Sequence, residues 1–332
     1  MTDHRTMSAA LAETINTPLR VVTVPRPTAK AGEVLVRIHA SGINPLDAKI
    51  HAGAAPHAKQ PLPAILGLDL AGTVEAVGEG VARFRPDDEV YGMTGGVGGH
   101  QGSLAGFAAI DADLLAIKPA NLSMREAAGL PLVIITAWEG LVDRAAVKAG
   151  QTVLVHGGAG GVGHVAIQIA RAFGATVFAT GSAGSQALIE RLGAQFIDYR
   201  AEQVADYVLR LTNGEGFDLV YDTVGGATLD ASFGAVRRFG HVMSCLGRGQ
   251  YDLGPLSFKA ASYSGVFTLL PLLTGEGRRH HGEILEQATR LIEGGKLAPR
   301  MDERRFTLAT VDEAYRIQRE GEARGRLVVE IA

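Results

Sequence analysis

Residues 152–163 read TVLVHGGAGGVG, and this stretch decides the fold. Its first five residues form a mostly apolar run typical of a buried strand, and Gly158, Gly160 and Gly163 follow in GxGxxG spacing. We predict a helix over 164–173 directly behind them. In a dinucleotide-binding turn the first glycine permits a tight turn, the second lets the backbone approach a pyrophosphate, and the third allows close helix–strand packing.

The position of these glycines in the chain matters more than their spacing. A chain with 43 glycines contains GxGxxG by chance, so a turn that serves only packing is the alternative. Here the turn lies between a strand and a helix, where phosphate charge meets unpaired N–H groups and the positive end of the helix. Gly161 and Val162 therefore join the three glycines as predicted cofactor-binding residues.

Strands and helices alternate regularly after this turn. We predict strands at 176–179, 196–199, 218–222, 241–245 and 264–268, with helices at 185–192, 202–211 and 227–237. Apolar strands that alternate with helices predict a parallel sheet covered on both faces, which is a doubly wound Rossmann arrangement. Helical patterns at 123–128 and 137–146 precede it.

The two ends of the chain have a different pattern. Up to about residue 119, short strands such as 33–39, 70–77 and 89–91 alternate apolar with polar residues, which predicts a mostly antiparallel barrel or sandwich. The tail offers helices near 282–293 and 310–321 and a strand at 326–331, too little for a separate core. We expect a catalytic domain over 1–123, a dinucleotide-binding domain over 124–268, and a return to the catalytic domain over 269–332.

Composition narrows the class of protein. The 332 residues are 46% hydrophobic and 20% charged, with a net charge of −3 and a mean hydropathy of +0.13, which is typical of a globular protein and offers no basic field for nucleic acid or an anionic membrane. A single cysteine, Cys245, excludes an internal disulfide. No signal peptide is visible in residues 1–5, and the apolar runs are too short to span a bilayer. We expect a cytoplasmic protein.

The second strand of the predicted sheet bears on cofactor choice. NAD-binding turns usually place an acidic residue about twenty residues on, at the ribose 2′-hydroxyl. Here that strand ends in Thr-Gly-Ser, and the next acid is Glu190. Ser182, Ser185 and the pair Tyr199-Arg200 offer donors for a 2′-phosphate, which favours NADPH. The alternative is that Tyr199 and Arg200 simply end a strand at the surface.

Stretches along nearly the whole chain together resemble the medium-chain dehydrogenase/reductase superfamily, specifically its zinc-independent quinone oxidoreductase-like branch. They are SGINPLDAKIHAG (41–53), ILGLDLAGTVEAVGEGV (65–81), DEVYGM (88–93), IITAWEGLVDRA (134–145), TVLVHGGAGGVGHVAIQIARAFGA (152–175), FIDYR (196–200), DLVYDTVGG (218–226) and ARGRLVVE (323–330). The resemblance implies a GroES-like catalytic domain built from both chain ends with the Rossmann domain inserted. It also implies NADPH, a homodimer joined through Rossmann edge strands, and a cleft for a small electrophilic substrate.

The resemblance also bears on metal. Zinc enzymes of the superfamily place a cysteine where this chain has Asn44 and Gly-His-Glu where it has Gly-Leu-Asp, residues 67–69. Leu68 cannot bind a metal, and the sequence around His100 that looks like Gly-His-Glu lies about thirty residues too late. We therefore expect no zinc.

The resemblance places Asn44 and Thr136 against the nicotinamide and its ribose. Asn44 followed by Pro45 is also a typical helix start. Asp47 and Lys49 are the other catalytic candidates, because a lysine in the cleft can polarise a carbonyl or pass on a proton, and the alternative is a solvated helix face. Where the family usually has a lysine for the 2′-phosphate, this chain has Ser185.

The leading functional hypothesis is the NADPH-dependent reduction of a quinone or an α,β-unsaturated carbonyl compound by hydride transfer without metal. The alternatives are alcohol or aldehyde dehydrogenation of the zinc type, and an NADPH-binding protein without turnover.

Overall fold

The structure, a computed structural model, describes residues 5–331. Contacts between residues divide the chain into two compact units. The first comprises Met1–Leu132, Leu269–Gly295 and Pro299–Ala332, of which residues 1–4 and 332 lie outside the described part. The second comprises Val133–Thr268 and Lys296–Ala298.

The first unit opens with strands that carry an alternating apolar pattern. Its elements up to the unit boundary are β1 (Thr6–Ala12), β2 (Arg20–Pro25), β3 (Glu33–Ile43), α1 (Pro45–His51), β4 (Ala64–Ile65), β5 (Asp69–Val77), β6 (Glu89–Met93), β7 (Phe107–Asp111), β8 (Leu115–Ile117) and α2 (Met124–Ala128). β1 lies between β2 and β4 in a three-stranded antiparallel sheet. β3 pairs antiparallel with both β5 and β7.

Helix α2 belongs to this first unit, although we predicted that residues 124–132 belong to the nucleotide-binding domain. The Ser123 N–H donates to the Glu126 carboxylate at 2.9 Å and the Glu126 N–H donates to Ser123 Oγ at 3.3 Å, so a capping box starts the helix. The helix then packs on β3 and β5, which explains its place in this unit.

The second unit contains the alternating elements. They are α3 (Pro131–Trp138, which begins at the unit boundary), a π-helix (Glu139–Arg144), β9 (Thr152–His156), α4 (Gly161–Ala172), β10 (Thr176–Gly181), α5 (Gln186–Arg191), β11 (Gln195–Asp198), α6 (Val204–Thr212), β12 (Phe217–Asp222), α7 (Ala227–Ala235), β13 (Val236–Ser244), α8 (Gly254–Phe258) and β14 (Ser262–Gly265). The strands form one parallel sheet in the order β11-β10-β9-β12-β13-β14. This is the doubly wound Rossmann order, so the predicted α/β fold class is confirmed.

The tail returns to the first unit. It contains α9 (Leu270–Thr274), α10 (Arg278–Glu293), β15 (Phe306–Thr307), α11 (Val311–Glu320) and β16 (Leu327–Glu330). β16 pairs antiparallel with β3, completing the seven-stranded sheet β15-β16-β3-β5-β6-β8 with β7 beside β3. Strands from both ends of the chain thus share one sheet, as expected from the GroES-like resemblance.

Several boundaries differ from the predicted ones. The helix expected to open at residue 164 begins at Gly161, because the extended backbone of Gly160 (φ −74°, ψ 176°) already ends the turn. The helix expected over 137–146 is instead α3 followed by the π-helix. β13 begins at Val236, five residues early, and the positive φ of Phe239 accompanies an irregular register against β12.

No helix within residues 5–331 is long and apolar enough to cross a membrane.

Candidate functional site

The turn between β9 and α4 is closed by the protein's own atoms at two of its three signature glycines. A Cβ on Gly158 would lie 2.7 Å from the Ala179 Cβ, and a Cβ on Gly163 would lie 2.1 Å from the Gly157 carbonyl oxygen. Gly157 itself has a positive φ of 74°. Gly158 and Gly163 therefore allow close packing within this unit, and the residue whose positive φ requires glycine is Gly157, one position before the predicted first glycine.

Gly160 is in a different situation. It is exposed, and a Cβ there would meet only the Gly157 carbonyl oxygen, at 3.1 Å. The N–H groups of the first helical turn, at Gly161, Val162 and Gly163, have no acceptor within their own helix. An open backbone beside the N-terminus of a twelve-residue helix is a cradle of the right chemistry for a pyrophosphate, so these residues fit a dinucleotide.

Thr180 holds the entry to the turn. Its hydroxyl accepts the Gly157 N–H at 3.2 Å and lies 3.2 Å from Nδ1 of the buried His156. Burial lowers the pKa of His156 to about 4, against a smaller opposing effect of the Asp222 charge. His156 is therefore a neutral structural group beneath the turn at neutral pH.

The predicted 2′-phosphate residues meet at the carboxyl ends of β10 and β11. Gly181 pairs with Asp198, and the Tyr199 N–H donates to the Gly181 carbonyl at 3.4 Å. Tyr199 and Arg200 are exposed, and the guanidinium of Arg200 donates to the Tyr199 hydroxyl at 3.3 Å. Tyr199 and Arg200 thus follow β11 at the same edge of the sheet at which Gly181 ends β10.

Ser185 is arranged differently from the donor that we predicted. Its hydroxyl donates to the Ser182 carbonyl at 2.7 Å, so its proton is used within the loop. Sequence reasoning also missed Asp198, whose carboxylate accepts the Arg200 N–H at 2.9 Å. The signal was that β11, the neighbour of β10 in the sheet, ends in an acidic residue.

The first unit holds a buried polar network at Asn44. The Asn44 side-chain amide donates to Asp69 Oδ2 at 2.9 Å, and Asn44 Oδ1 accepts from Arg326 Nη2 at 2.6 Å. Arg326 Nη2 also lies 3.8 Å from Asp69 Oδ2. The Asn44 N–H donates to Asp47 Oδ2 at 2.8 Å, so Asn44 starts α1 through its backbone while its side chain joins the network.

Two backbone groups fix the outer members of this network. The Leu132 N–H donates to Asp69 Oδ1 at 3.0 Å, and Arg326 Nε donates to the Gly129 carbonyl at 2.6 Å. Sequence reasoning did not assign Asp69 or Arg326 a role. Asp69 opens β5 and Arg326 directly precedes β16, and a charged residue at the start of an apolar strand pattern was the available signal.

Burial dominates the electrostatics of this network. It raises the pKa of Asp47 to about 8, against the opposing effects of the Asn44 and Leu68 backbone and of Arg326, while Asp69 raises it further. It raises the pKa of Asp69 to about 7, against the opposing Arg326 charge and the Asn44 amide. Two buried carboxyl groups share one guanidinium, so the pair retains a proton near neutral pH.

The other two catalytic candidates, Asp47 and Lys49, both lie on helix α1 but differ in burial. Asp47 is fully buried, whereas Lys49 is exposed. The alternative in which both belong to a solvated helix face is therefore wrong for Asp47. Asp47 supports Asn44 from inside the unit, and Lys49 is the residue of the two that solvent reaches.

The positions of the superfamily's zinc ligands carry no thiolate or imidazole. Leu68 is fully buried, and its carbonyl accepts the Thr94 N–H at 2.7 Å. Within residues 5–331 there is no group of three or more His, Cys, Asp or Glu side chains that could hold a metal ion.

Thr136 lies in α3 in the second unit. It is buried, and its carbonyl accepts the hydroxyl of Tyr221 at 2.6 Å.

Two family models match the chain, one within the first unit and the other from the parallel-sheet unit into the tail. One, described as "Alcohol dehydrogenase GroES-like domain", matches residues 30–120, and the other, described as "Zinc-binding dehydrogenase", matches residues 192–329. The second description concerns the family as a whole, and this chain has Asn44 and Leu68 at the ligand positions named above.

Two curated relatives from plants align over 311 residues, which is 91% of this chain and 73% of each relative. A 2-methylene-furan-3-one reductase of Solanum lycopersicum is 36% identical, and an NADPH-dependent alkenal/one oxidoreductase of Arabidopsis thaliana, described as chloroplastic, is 34% identical.

Solved structures are similar over nearly the whole chain. An alcohol dehydrogenase superfamily protein from Novosphingobium aromaticivorans is 58% identical with a TM-score of 0.96, covering 98% of this chain and 100% of its own. A quinone oxidoreductase from Coxiella burnetii is 29% identical with a TM-score of 0.83 and the same coverage. The chain therefore belongs to the medium-chain dehydrogenase/reductase superfamily, in which it resembles the quinone and enone oxidoreductase branch, and it is an NAD(P)H-dependent oxidoreductase.

Proposed function

We propose that the protein reduces the carbon–carbon double bond of an α,β-unsaturated carbonyl compound, or a quinone, with bound NADPH supplying the hydride. The observation that carries the proposal is the Asn44–Asp69–Arg326 network. At the position where zinc enzymes of the superfamily polarise a substrate oxygen through a metal, this chain has a buried amide held on both sides. Plant relatives named as enone reductases support this substrate class.

The side chains present favour a reaction that needs no zinc. Zinc sites in proteins use thiolate, imidazole and carboxylate ligands. Leu68 offers none, and the Asn44 oxygen is already bound to Arg326. Recruiting Asp69 to a metal would break its bonds to Asn44 and to the Leu132 N–H.

We assign to Lys49 one of two roles: it stabilises the negative charge on the substrate oxygen, or it donates the proton. Reducing an enone leaves negative charge on the carbonyl oxygen and requires a proton at the α-carbon. An exposed ammonium group on α1, five residues after Asn44, supplies positive charge and a donor. Asp47 is excluded from direct contact with substrate by its burial, and it acts through the Asn44 N–H.

NADPH is the cofactor form that the strand ends favour. Arg200 and Tyr199 stand at the end of β11 beside Ser182, and an arginine suits a 2′-phosphate because it gives charge-assisted hydrogen bonds. The Asp198 carboxylate opposes this preference. The Asp198 carboxylate accepts the backbone N–H of Arg200 and so lies within its own loop. We therefore propose that the Arg200 guanidinium, and not this carboxylate, determines which cofactor binds more tightly.

The test is NADPH oxidation across a panel of enones, quinones and simple aldehydes, with zinc chelator present and absent. We expect turnover of enones or quinones that is insensitive to the chelator. Lys49→Ala should lower kcat about ten- to a thousandfold with cofactor binding kept, if the lysine polarises the carbonyl or relays a proton. Lys59→Ala, at another exposed lysine of the first unit, is the control.

Three outcomes would overturn parts of the proposal. If turnover were restricted to alcohols and aldehydes and abolished by the chelator, the protein would be a zinc-dependent alcohol or aldehyde dehydrogenase. NADPH binding without turnover of any compound in the panel would identify a binding protein. Full turnover by Lys49→Ala would remove the lysine from the chemistry and leave the proton to water.

A further inference from the structure

Tyr221 connects the centre of the parallel sheet to helix α3. It lies on β12, paired with Val155 of β9 on one side and Met243 of β13 on the other. The side chain is fully buried, and its hydroxyl donates to the Thr136 carbonyl at 2.6 Å. A short bond from a central strand to a helix fixes the distance between them at this point.

Gly140 provides a second contact with the same ring. A Cβ on Gly140 would lie 2.6 Å from Tyr221 Cζ and 2.8 Å from Tyr221 Oη. A buried aromatic ring in a central strand has no space to move aside, so only glycine allows this approach. The hydroxyl end of the ring is therefore held between Gly140, which it contacts, and the Thr136 carbonyl, to which it donates.

The backbone changes its helical type at this contact. The π-helix begins at Glu139, between the two residues that touch Tyr221, and the Ala145 N–H donates to the Gly140 carbonyl five residues earlier, at 3.1 Å. Single π-turns inside helices occur frequently at functional sites. Here the π-helix begins three residues after Thr136, the residue expected at the nicotinamide ribose.

The hydroxyl of Tyr221 stays a donor throughout the working pH range. Burial raises its pKa well above the usual value, and Cys245, Glu139 and Asp222 raise it further. A protonated phenol facing a carbonyl makes one persistent bond.

We propose that Tyr221 is a positioning residue: through its bond to the Thr136 carbonyl and its contact with Gly140, it sets where Thr136 meets the nicotinamide end of the cofactor. This inference rests on the proposed function and on the position beside the nicotinamide that the resemblance implies for Thr136. The glycine turn holds the phosphates independently, so loss of the Tyr221 bond should disturb reaction geometry more than cofactor affinity.

The test compares Tyr221→Phe, Thr136→Val and the double variant with a control, Tyr207→Phe. Tyr207 is a buried tyrosine of the same unit whose hydroxyl has no hydrogen-bond partner among the described residues, so its removal breaks no bond. For each variant we would measure kcat and KM with an enone, the Kd of NADPH, and the fluorescence of the bound nicotinamide. The Kd of adenosine 2′,5′-bisphosphate, which lacks the nicotinamide, reports on the other end of the site.

We expect Tyr221→Phe to lower kcat about tenfold, since small displacements of a reacting group cost this much or more. It should change the nicotinamide fluorescence, leave binding of the bisphosphate unchanged, and speed amide hydrogen exchange over 137–145 without cofactor. The double variant should match Thr136→Val alone, because both changes act on one contact. Tyr207→Phe should resemble the parent in every measurement.

The inference fails if Tyr221→Phe keeps parental kcat and fluorescence, or if its effect adds to that of Thr136→Val. It also fails if Thr136→Val itself changes nothing, although enone turnover by the parent would then preserve the proposed function. A parent that turns over no enone or quinone counts against the proposed function, and the fluorescence and exchange measurements still decide the role of Tyr221.

Discussion

Gly160 and Gly163 lie in the same turn but differ in the space around them. Gly160 is exposed and has room for a side chain, whereas Gly163 has none. The Gly160 φ of −74° suits any residue, and a Cβ would approach only the Gly157 carbonyl oxygen. We expect Gly160→Val to keep nearly the parental melting temperature without cofactor, yet to weaken NADPH binding at least a hundredfold, about 3 kcal/mol, because the side chain enters the phosphate position. Calorimetric melting and fluorescence titration measure the two effects.

Gly163 supplies the contrast within the same helix turn. A Cβ there would lie 2.1 Å from the Gly157 carbonyl oxygen, so Gly163→Ala should lower the melting temperature even without cofactor. If Gly160→Val binds NADPH normally, the dinucleotide does not lie on this turn.

We expect Arg200, which follows β11, to decide the proposed preference for NADPH over NADH. We expect Arg200→Ala to weaken NADPH binding about ten- to a hundredfold, the value of one charge-assisted hydrogen bond of 1.5–3 kcal/mol, and to leave NADH binding nearly unchanged. Arg191→Ala, at an exposed arginine of α5, is the control. Equal affinity of the parent for the two cofactors would contradict the assignment and make the Asp198 carboxylate the dominant charge.

At the scale of elements, the sequence predicts a strand accurately where consecutive residues alone define it. β9 was predicted at its observed bounds because a five-residue apolar run followed by glycines has few other interpretations. The π-helix was not predicted, and at its second residue Gly140 contacts Tyr221, which is 81 positions away and on another element. Local periodicity carries no information about such a contact.

The partners of Asn44 were unpredictable for the same reason. Pro45 behind it indicated a helix start, and the backbone indeed begins α1 there. The side chain, however, is set by Asp69 from β5 and by Arg326 next to β16, 25 and 282 residues away. Only the sheet that joins both ends of the chain brings these groups together.

The buried carboxyl groups of Asp47 in α1 and Asp69 in β5 make the free energy of unfolding depend on pH. The pKa values of Asp47 and Asp69 in the folded protein, about 8 and about 7, lie above the ordinary value of 3.8. The folded state therefore binds more protons than the unfolded state between these values, and the free energy of unfolding falls as pH rises from about 4 to about 8. Each such group contributes up to about 1.4 kcal/mol per pH unit in that window.

Asp47→Asn tests this directly, because the amide keeps an acceptor for the Asn44 N–H and cannot ionise. Denaturant unfolding at several pH values should give a flatter curve for this variant than for the parent. Asp87→Asn makes the same chemical change at an exposed residue whose positive φ suits asparagine, and its curve should run parallel to the parent's. Parallel curves for parent and Asp47→Asn would show that Asp47 ionises normally in the folded protein.

At the scale of the molecule, the parallel sheet ends at β14, whose partner is β13 on one side only among the described residues. An unpaired edge strand is a template for association unless it is covered. Phe258, in α8 just before this strand, is 91% exposed, and Leu253 at the start of the same helix is 55% exposed. We propose that a second copy covers this edge across a two-fold axis, as the resemblance implies.

The mass in solution tests this proposal. Light scattering should give twice the 34.8 kDa of one chain, and Phe258→Asp should shift the protein towards the monomer, because a charge would replace apolar surface that the partner buries. The matched control is Leu209→Asp, at an apolar residue of α6 that is 65% exposed in the same unit; α6 follows β11, the strand at the opposite end of the order from β14. A monomeric parent, or equal dissociation by both variants, would mean that the edge at β14 is not the interface.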